Sequence, residues 1–290
     1  MPFRIMDKQG FMDKRAKEAG VAVELKEFKG YMDSVQAFAA GQVDACAMTS
    51  MEALQPASSG VRTVAVIAND ISNGGDGVLV RKGKTIKDLA GQEVYLEQFS
   101  VSHYVLARAL AKNGMSESDV TIKNIPGDEA GKAFLTDDSV FAAATWNPHL
   151  FNAQETGKGV VAFDSTMIKG EIIDLLVVNG KVLDANPKAV DAIVLAWYDA
   201  MAMIENPATR EQAIGIMAEG AGATPKEFEK MMGGMVLFTD PAKAAAFVTA
   251  PELPKTMELI KKFSLDQELI TDGAFKVGYG KGAKELLSFD

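Results

Sequence analysis

The sequence predicts an α/β fold of two similar lobes, each a doubly wound, mostly parallel sheet with flanking helices. The first observation is that strand-like runs alternate with helical patterns along residues 93–147, which is typical of parallel sheets. The second is that a succession of helix, break and strand occurs twice, at 32–49 and again at 129–145. Two copies of one pattern indicate two related lobes and not a solenoid.

The stretch 93–147 supplies the clearest elements. It is predicted to hold the strands Glu93–Gln98, Val120–Ile125 and Val140–Thr145, with helices that start at Ser100 and Glu129 between them. Trp146-Asn147-Pro148 closes the stretch. In sheets of this kind ligands bind beyond the carboxyl ends of the strands, next to helix N-termini, so the residues at those ends are the candidate site.

The preceding part of the chain predicts the other lobe. The expected elements are, in order, a helix over 2–19 that ends at Gly20, a strand Val21–Phe28, a helix Met32–Ala40, a strand Val43–Met48, a helix that starts at Thr49–Glu52, and strands Val61–Ile67 and Val78–Val80. The run 72–77 of Ser, Asn, Gly and Asp is a turn signal between the last two strands.

The following part returns to the first lobe. A helix to about residue 154, a strand Val160–Phe163 and an apolar strand Ile172–Val178 are expected, and the remainder is predicted to be helical. Its helix starts are marked by Asn186-Pro187, Thr224-Pro225 and Asp240-Pro241, which place an N-cap residue before proline at the first helical position.

These elements divide the chain into lobe 1, residues 1–80 plus 179–290, and lobe 2, residues 81–178. Chain crossings are expected near 77–83 and 174–180, which would form a hinge beside a ligand cleft. The repeat also predicts that the first strand of lobe 1 is missing, because the later copy opens with strand Glu93–Gln98 whereas the chain begins at Met1 already at a helix start. A lobe that never had that strand is the alternative.

Composition excludes several functions. The 290 residues are 48% hydrophobic and 24% charged, and the net charge of −9 argues against partners such as nucleic acid or anionic membrane surfaces. The single cysteine, Cys46, rules out an intramolecular disulfide, and its strand position favours a core residue. The two histidines form no metal-binding spacing, so no metal or other cofactor is expected. No run reaches membrane-spanning length, and no signal peptide is visible.

Several separated motifs resemble the periplasmic substrate-binding proteins of ABC importers for nitrate, taurine and alkyl sulfonates, a superfamily that also contains thiamine-pyrimidine-precursor binders. They are Pro2-Phe3, Gly10-Phe11, Gly41–Ala45, Gly77–Val80, Ser102–Tyr104 and Trp146–Pro148. The resemblance implies a type II two-lobe binding-protein fold, a ligand held by lobe closure, and a monomer with an ABC permease and its ATPase as partners. The implied location is periplasmic, or exported and membrane-associated. Members carry an export signal and a first strand, and both are expected to be missing from this chain.

A second set of motifs resembles a subgroup of that family encoded beside urea carboxylase. The set is Met48–Leu54, Ser72–Gly77, Ser100–Tyr104 and Glu171–Asn179. This resemblance implies uptake of a small urea- or guanidine-type nitrogen compound. Nitrate, taurine or an alkyl sulfonate, and a relative of the pyrimidine-precursor binders or synthases, are the alternatives. An enzyme on this fold would need reactive cysteine and histidine residues, so the chain is predicted not to be one.

Three carboxylates are candidates for binding a small planar cation. Glu97 follows a strand, Asp76 lies in the glycine-rich turn, and Asp174 interrupts an apolar run. A buried carboxylate is unfavourable by several kcal/mol unless it is paired, so Asp174 needs a partner. The structural alternatives are a solvated strand-end charge for Glu97, a turn residue for Asp76 and an interlobe anchor for Asp174.

Aromatic, amide and helix-start groups complete the candidate ligand site. Trp146 could stack on a planar cation, or pack between the lobes. Asn147 could bind ligand or cap the next helix. Ser100, Val101 and Ser102 in lobe 2, and Thr49, Ser50 and Met51 in lobe 1, would offer hydroxyls and free N–H groups, or simple N-caps. Helix N-termini favour anions and the carboxylates favour cations, so the residues alone leave the ligand's charge open.

Overall fold

A computed structural model describes residues 2–282 and 284–290. The helices are α1 (Phe3–Lys8), α2 (Phe11–Ala19), α3 (Tyr31–Ala39), α4 (Leu54–Ser58), α5 (Val101–Lys112), α6 (Gly127–Thr136), α7 (His149–Glu155), α8 (Gly180–Ala185), α9 (Pro187–Glu205), α10 (Arg210–Ala221), α11 (Pro225–Met232), α12 (Pro241–Val248) and α13 (Leu253–Asp266). The strands are β1 (Ala45–Thr49), β2 (Thr63–Ser72), β3 (Asp76–Val80), β4 (Glu93–Leu96), β5 (Thr121–Asn124), β6 (Ala142–Trp146), β7 (Val160–Asp164), β8 (Ile173–Asn179), β9 (Met235–Leu237), β10 (Val277–Gly282) and β11 (Glu285–Phe289).

The strands form two sheets, which confirms the two-lobe α/β fold. Among the described residues the first sheet has the order β1-β8-β2-β11-β10, with β9 added to β2, and the second has the order β5-β4-β6-β3-β7. None of the helices in the described part of the chain combines the length and the apolar composition needed to cross a bilayer.

The expectation that the sheets are mostly parallel is wrong. Only β4 runs parallel to its neighbours, β5 and β6, while every pair in the first sheet is antiparallel. The reason lies in the chain path. Strand β2 leaves the first sheet and β8 returns to it, so these adjacent strands run in opposite directions, as do β3 and β7 in the second sheet.

The chain changes sheets slightly earlier than expected. Residues 73–75 connect β2 to β3, and residues 165–172 connect β7 to β8, whereas the predicted crossings lay near 77–83 and 174–180. Strand β3 therefore pairs with β6 and β7 in the second sheet. Its residues are all apolar after Asp76, so the sequence pattern alone does not distinguish the two possible sheets.

Three local predictions also differ from the structure. The segment 21–28, predicted as a strand, has no regular secondary structure and pairs with no other strand among the described residues. The helix expected at Thr49–Glu52 begins only at Leu54, after a turn. The last part of the chain is not wholly helical, since β9, β10 and β11 extend the first sheet.

Two large hydrophobic clusters hold the fold together. One lies between the first sheet and helices α1, α2, α9, α10 and α11, with the indole of Trp197 fully buried in it. The other runs through both sheets and includes Val94 of β4, Val177 of β8 and Met257 of α13. This shared cluster places the ends of β1, β4, β6 and β8 next to each other.

Candidate functional site

Two aromatic rings, one from each lobe, face each other between the sheets. Tyr31 begins α3 and Trp146 ends β6, and their ring centroids are 6.0 Å apart with an angle of 56° between the planes. Both side chains are partly exposed. A Cβ at Gly127 would lie 2.3 Å from Cη2 of Trp146, so glycine there lets the indole lie against the start of α6.

Three aspartates lie beside this aromatic pair. Asp174 on β8 is in register with Thr49 of β1 and with Asp70 of β2, while Asp76 on β3 is in register with Trp146 of β6. All three aspartates are partly exposed. Asp70 and Asp174 are direct neighbours across β2 and β8, so their negative charges repel each other.

The pKa values of these aspartates are raised. Burial is the main cause for each, and repulsion from the neighbouring aspartates adds to it for Asp70 and Asp174. For Asp76, burial raises the pKa to about 6, and the hydrogen bond of 2.5 Å that Oδ2 accepts from the Ser72 hydroxyl lowers it only in part. The group therefore favours bound protons or an added positive charge.

Glu52 is a fully buried carboxylate on the lobe 1 side. Its Oε1 accepts a hydrogen bond of 2.6 Å from the Val101 N–H at the start of α5, and its Oε2 accepts one of 3.0 Å from the Tyr31 hydroxyl. The Thr49 hydroxyl also donates to Oε2, and the Thr49 N–H donates to the Tyr31 oxygen at 2.9 Å. Burial raises the pKa of Glu52, and the donors oppose that rise.

Glu97 is a second carboxylate with both oxygens engaged. Its Oε1 accepts from the Met32 N–H of α3 at 3.3 Å and its Oε2 from the Gly127 N–H of α6 at 3.1 Å. The side chain is almost fully buried, and burial raises its pKa while the two N–H groups lower it. Glu97 therefore links α3 of lobe 1 to α6 of lobe 2.

Within the part of the chain that the structure describes, none of these acids forms an ion pair with a basic side chain. Among the ion pairs of the described residues, none includes Glu52, Glu97, Asp70, Asp76 or Asp174. The residues that the structure describes also contain no group of three or more His, Cys, Asp or Glu side chains placed to hold a metal ion. The cluster is thus rich in acceptors and can receive a ligand that brings several N–H donors or a positive charge.

The predicted site residues fall into two groups. The structure brings Thr49, Asp76, Glu97, Val101, Trp146 and Asp174 together at the lobe boundary. Others have structural contacts. Ser100 is the N-cap of α5, Met51 is buried in the shared core, and the Asn147 side chain accepts a hydrogen bond of 3.1 Å from the Phe151 N–H at the start of α7.

Ser50 and Ser102 also lie close to the lobe boundary, but within the described part of the chain their side chains make no such structural hydrogen bond. Both hydroxyls are buried and have no hydrogen-bond partner among the described residues. Buried hydroxyls are normally paired, so these two groups are available to a ligand or to water.

Sequence reasoning missed Tyr31, Glu52 and Asp70. Asp70 carried a usable signal, because it is a charged residue two positions after the apolar run 64–68. Glu52 and Tyr31 had weaker signals, a carboxylate and an aromatic residue near expected helix starts. Their importance comes from contacts between lobes, which a linear pattern does not contain.

Two surface cavities lie away from this cluster. One, of about 290 Å³, is lined by Arg210, Met232 and Lys243 among others. The other, of about 300 Å³, lies between α5 and α13 and includes Arg108 and Phe263. Neither contains any of the five buried or partly exposed acids, so the aromatic and acidic cluster at the lobe boundary remains the candidate site.

Several known proteins are similar to this chain in sequence or fold. The Taurine-binding periplasmic protein of Escherichia coli (strain K12) is 25% identical over 244 residues, which covers 81% of this chain and 75% of that protein. The periplasmic aliphatic sulphonate binding protein SsuA of Escherichia coli superposes with a TM-score of 0.76 at 18% identity, covering 94% of this chain and 90% of that chain. The alkanesulfonate-binding protein SsuA of Xanthomonas axonopodis pv. citri, in a structure bound to MOPS, superposes with a TM-score of 0.74 at 18% identity. The match covers 92% of this chain and 90% of that chain.

The family model described as NMT1/THI5 like matches residues 16–210, which include the aromatic pair and all five acids. The match extends over more than half of the 290 residues. The chain belongs to the NMT1/THI5-like family.

Proposed function

We propose that this protein is the solute-binding component of an ABC import system and that it captures a small, nitrogen-rich ligand of the urea or guanidine type between its lobes. The observation that carries the proposal is the set of partly exposed aspartates, Asp70, Asp76 and Asp174, beside the Tyr31–Trp146 pair. Among the described residues these aspartates take part in no ion pair. A guanidinium offers N–H donors in a plane together with the missing positive charge.

Each part of the cluster has a role in this proposal. A planar cation over an indole gains about 0.5–2 kcal/mol, and Trp146 is partly open for that contact. Ionised Asp174 and Asp76 would accept N–H bonds from the ligand. Since their pKa values are raised, a bound cation would favour their ionised forms and release protons.

An anionic ligand, such as the taurine or sulfonate named for the relatives, is the second candidate. The similarity in sequence to the taurine-binding protein favours it. The acidic lining of the boundary opposes it, because a sulfonate or nitrate would meet several carboxylates and no lysine or arginine paired with them. We therefore place urea and guanidinium first.

The chemistry of the site is that of binding and not of catalysis. The Cys46 thiol is buried in β1 and burial raises its pKa, so it is a poor nucleophile. His103 contacts Glu117 at 3.0 Å and His149 contacts Asp128 at 2.9 Å, each outside the acidic cluster. We propose that an ABC permease and its ATPase receive the ligand from this protein, which acts as a monomer in the periplasm.

Calorimetry on the purified protein with guanidinium, urea, taurine and nitrate tests the proposal. We expect guanidinium or urea to bind, and Asp174→Asn to weaken that binding by about tenfold or more, because a charge-assisted hydrogen bond is lost. The matched control is Asp44→Asn, an exposed carboxylate just before β1, which should leave binding unchanged.

Protein folding is checked in the same experiment. Asp174 is crowded by other acids, so its replacement by asparagine should keep or raise the melting temperature, and lost binding then reflects the site. Binding of taurine or nitrate without guanidinium or urea would contradict the ligand class. No measurable binding of any of the four solutes would contradict the role as the binding component of an importer.

A further inference from the structure

Three helices begin at the lobe boundary. Their first residues are Tyr31 in α3, Val101 in α5 and Gly127 in α6. The first N–H groups of a helix have no partner within the helix and carry a partial positive charge, so such ends bind anions well. An anionic ligand held between the lobes would need these donors.

Glu97 already occupies two of the three helix starts. One carboxylate oxygen accepts the Met32 N–H of α3 and the other accepts the Gly127 N–H of α6, at 3.3 and 3.1 Å. The side chain is only 8% exposed. A carboxylate with an N–H group on each oxygen is the arrangement that a small bound anion would adopt at this position.

Glu52 occupies the third helix start from the opposite lobe. Its Oε1 accepts the Val101 N–H of α5 at 2.6 Å, and the side chain is fully buried. The next donor of that turn, the Ser102 N–H, is capped by the Ser100 hydroxyl at 3.2 Å. The N–H groups of His103 and Tyr104 go to the Ser100 carbonyl.

One polar group of this turn is left without a partner. The Ser102 hydroxyl is 1% exposed and has no hydrogen-bond partner among the described residues. It lies in the first turn of α5, next to the Val101 N–H that donates a hydrogen bond to Glu52. The turn therefore has the donors of an anion site, a backbone N–H and a hydroxyl, but a side-chain carboxylate fills the position.

We propose that Glu52 and Glu97 are the residues that determine the sign of the ligand's charge. They take the place of an anionic ligand at all three helix starts, so a sulfonate, nitrate or carboxylate would find the N–H groups of Met32, Val101 and Gly127 already bound and would be repelled by two carboxylates. The remaining exposed groups, the aspartates and the aromatic pair, then suit cations and neutral amides. This inference deepens the proposed binding function and rests on it for the location of the ligand.

Removing the Glu97 carboxylate tests the inference through a gain of function. Glu97→Ala frees the Met32 and Gly127 N–H groups and leaves a space of carboxylate size. We expect the variant to bind acetate or nitrate about tenfold or more tightly than the unmodified protein, since two hydrogen bonds to a charged group form. The readouts are calorimetry and melting temperature with sodium acetate, sodium nitrate and sodium methanesulfonate, with sodium chloride as the ionic-strength control.

Two control variants show whether a gain of anion binding comes from removal of the Glu97 carboxylate. Glu97→Gln fills the same space and should gain no anion binding, because its amide leaves no room for one. Glu93→Gln removes an exposed carboxylate at the other end of β4 and should behave as the unmodified protein. If Glu97→Ala folds only when acetate or nitrate is present and not with chloride, the inference is supported. If it folds with none of them, the inference is contradicted.

The outcomes separate this inference from the proposed function. Anion binding by the unmodified protein as tight as by Glu97→Ala would overturn the inference, as would a folded Glu97→Ala that gains nothing. Guanidinium and urea are measured on the same proteins. If the unmodified protein binds neither of them while Glu97→Ala gains anion binding, the proposed ligand class fails and the exclusion of anions stands.

Discussion

Gly131 permits a contact that holds α6 against α7. A Cβ at this position would lie 2.2 Å from Cγ of His149, whose side chain is buried and contacts Asp128. Gly215, in the middle of α10, has no atom within 4 Å of a Cβ placed on it. The two residues look alike in the sequence, since each is a glycine inside a helical pattern, and only the packing tells them apart.

The two glycines should therefore respond in opposite ways to alanine. Gly131→Ala is expected to lower the free energy of unfolding by about 1–3 kcal/mol, because the added methyl overpacks the site. Gly215→Ala is expected to raise it by about 0.5–1 kcal/mol, because glycine inside a helix is conformationally unfavourable. Thermal denaturation measures both, and a Gly131→Ala variant as stable as Gly215→Ala would contradict the close contact between Gly131 and His149.

Asp76 makes stability depend on pH. Burial raises its pKa from 3.8 to about 6 in the folded protein, so the folded state binds more protons than the unfolded chain between these values. The contribution of Asp76 to stability is therefore greatest at low pH and decreases as the pH rises through 6. After allowance for its partial exposure, the decrease is on the order of 1–2 kcal/mol.

The test is thermal denaturation of the unmodified protein and of Asp76→Asn between about pH 4 and pH 7. The unmodified protein should lose more stability over this range than the variant, because asparagine does not titrate. Asp70 and Asp174 remain in the variant and keep part of the slope. Identical slopes for the two proteins would show that the Asp76 carboxyl is not perturbed.

At the scale of elements, α13 joins parts of the chain that are far apart in sequence. Its Met257 and Ile260 are fully buried in the core shared by both sheets. Its Phe263 packs edge-on against Tyr104 of α5, with ring centroids 4.8 Å apart and an interplanar angle of 84°. A helix of the C-terminal part thus contacts the helix whose start carries the Glu52 hydrogen bond.

Replacement of Phe263 by alanine should weaken this contact. We expect a loss of about 2–3 kcal/mol in the free energy of unfolding, because a half-buried ring and an aromatic pair are removed. Leu259→Ala on the same helix is the control, since Leu259 is 39% exposed and should lose less than about 1 kcal/mol. Equal losses from the two substitutions would argue against an α5–α13 contact of this strength.

Secondary-structure elements were predicted correctly where the local sequence pattern determines them, and incorrectly where a strand forms only by pairing with another strand. The strands and helices of 93–147 follow their predicted order, because each has an apolar run and a clear start or end signal. Strand β10 was missed because its glycines hide the alternation, and it forms by pairing with β11. The segment 21–28 has strand-like residues but no ladder, which shows that β propensity without a neighbour is insufficient.

At the scale of the whole molecule, the two lobes meet through polar contacts that cross the boundary. Glu97, which follows β4 of the second sheet, accepts a hydrogen bond from the Met32 N–H. Glu52, which follows β1 of the first sheet, accepts one from the Val101 N–H. The chain passes between the sheets at only two places within the described residues, 73–75 and 165–172. A ligand between Tyr31 and Trp146 would touch both lobes and favour their closed arrangement.

Hydrogen exchange tests this whole-molecule role. With guanidinium or urea at about 100 times its dissociation constant, stability should rise by about 2.7 kcal/mol. Amides near Thr49 in lobe 1 and near Val101 and Gly127 in lobe 2 should be protected together, because one ligand orders both sides. Helix α11 should show only the global change. Protection confined to one lobe would contradict a ligand held between them.

The sequence by itself determined the two-lobe α/β class, because periodicity, caps and a repeated pattern are local, and it predicted a candidate site at strand ends. It also identified Glu97, Trp146, Asp76 and Asp174 as residues of that region. Only the tertiary structure decided the strand directions, the crossing points and the contacts of Tyr31, Glu52 and Asp70. The physical reason is that a carboxylate's role depends on which donors approach it. Those donors, the N–H groups of Met32, Val101 and Gly127, come from helix starts that are distant in the chain and adjacent only after folding.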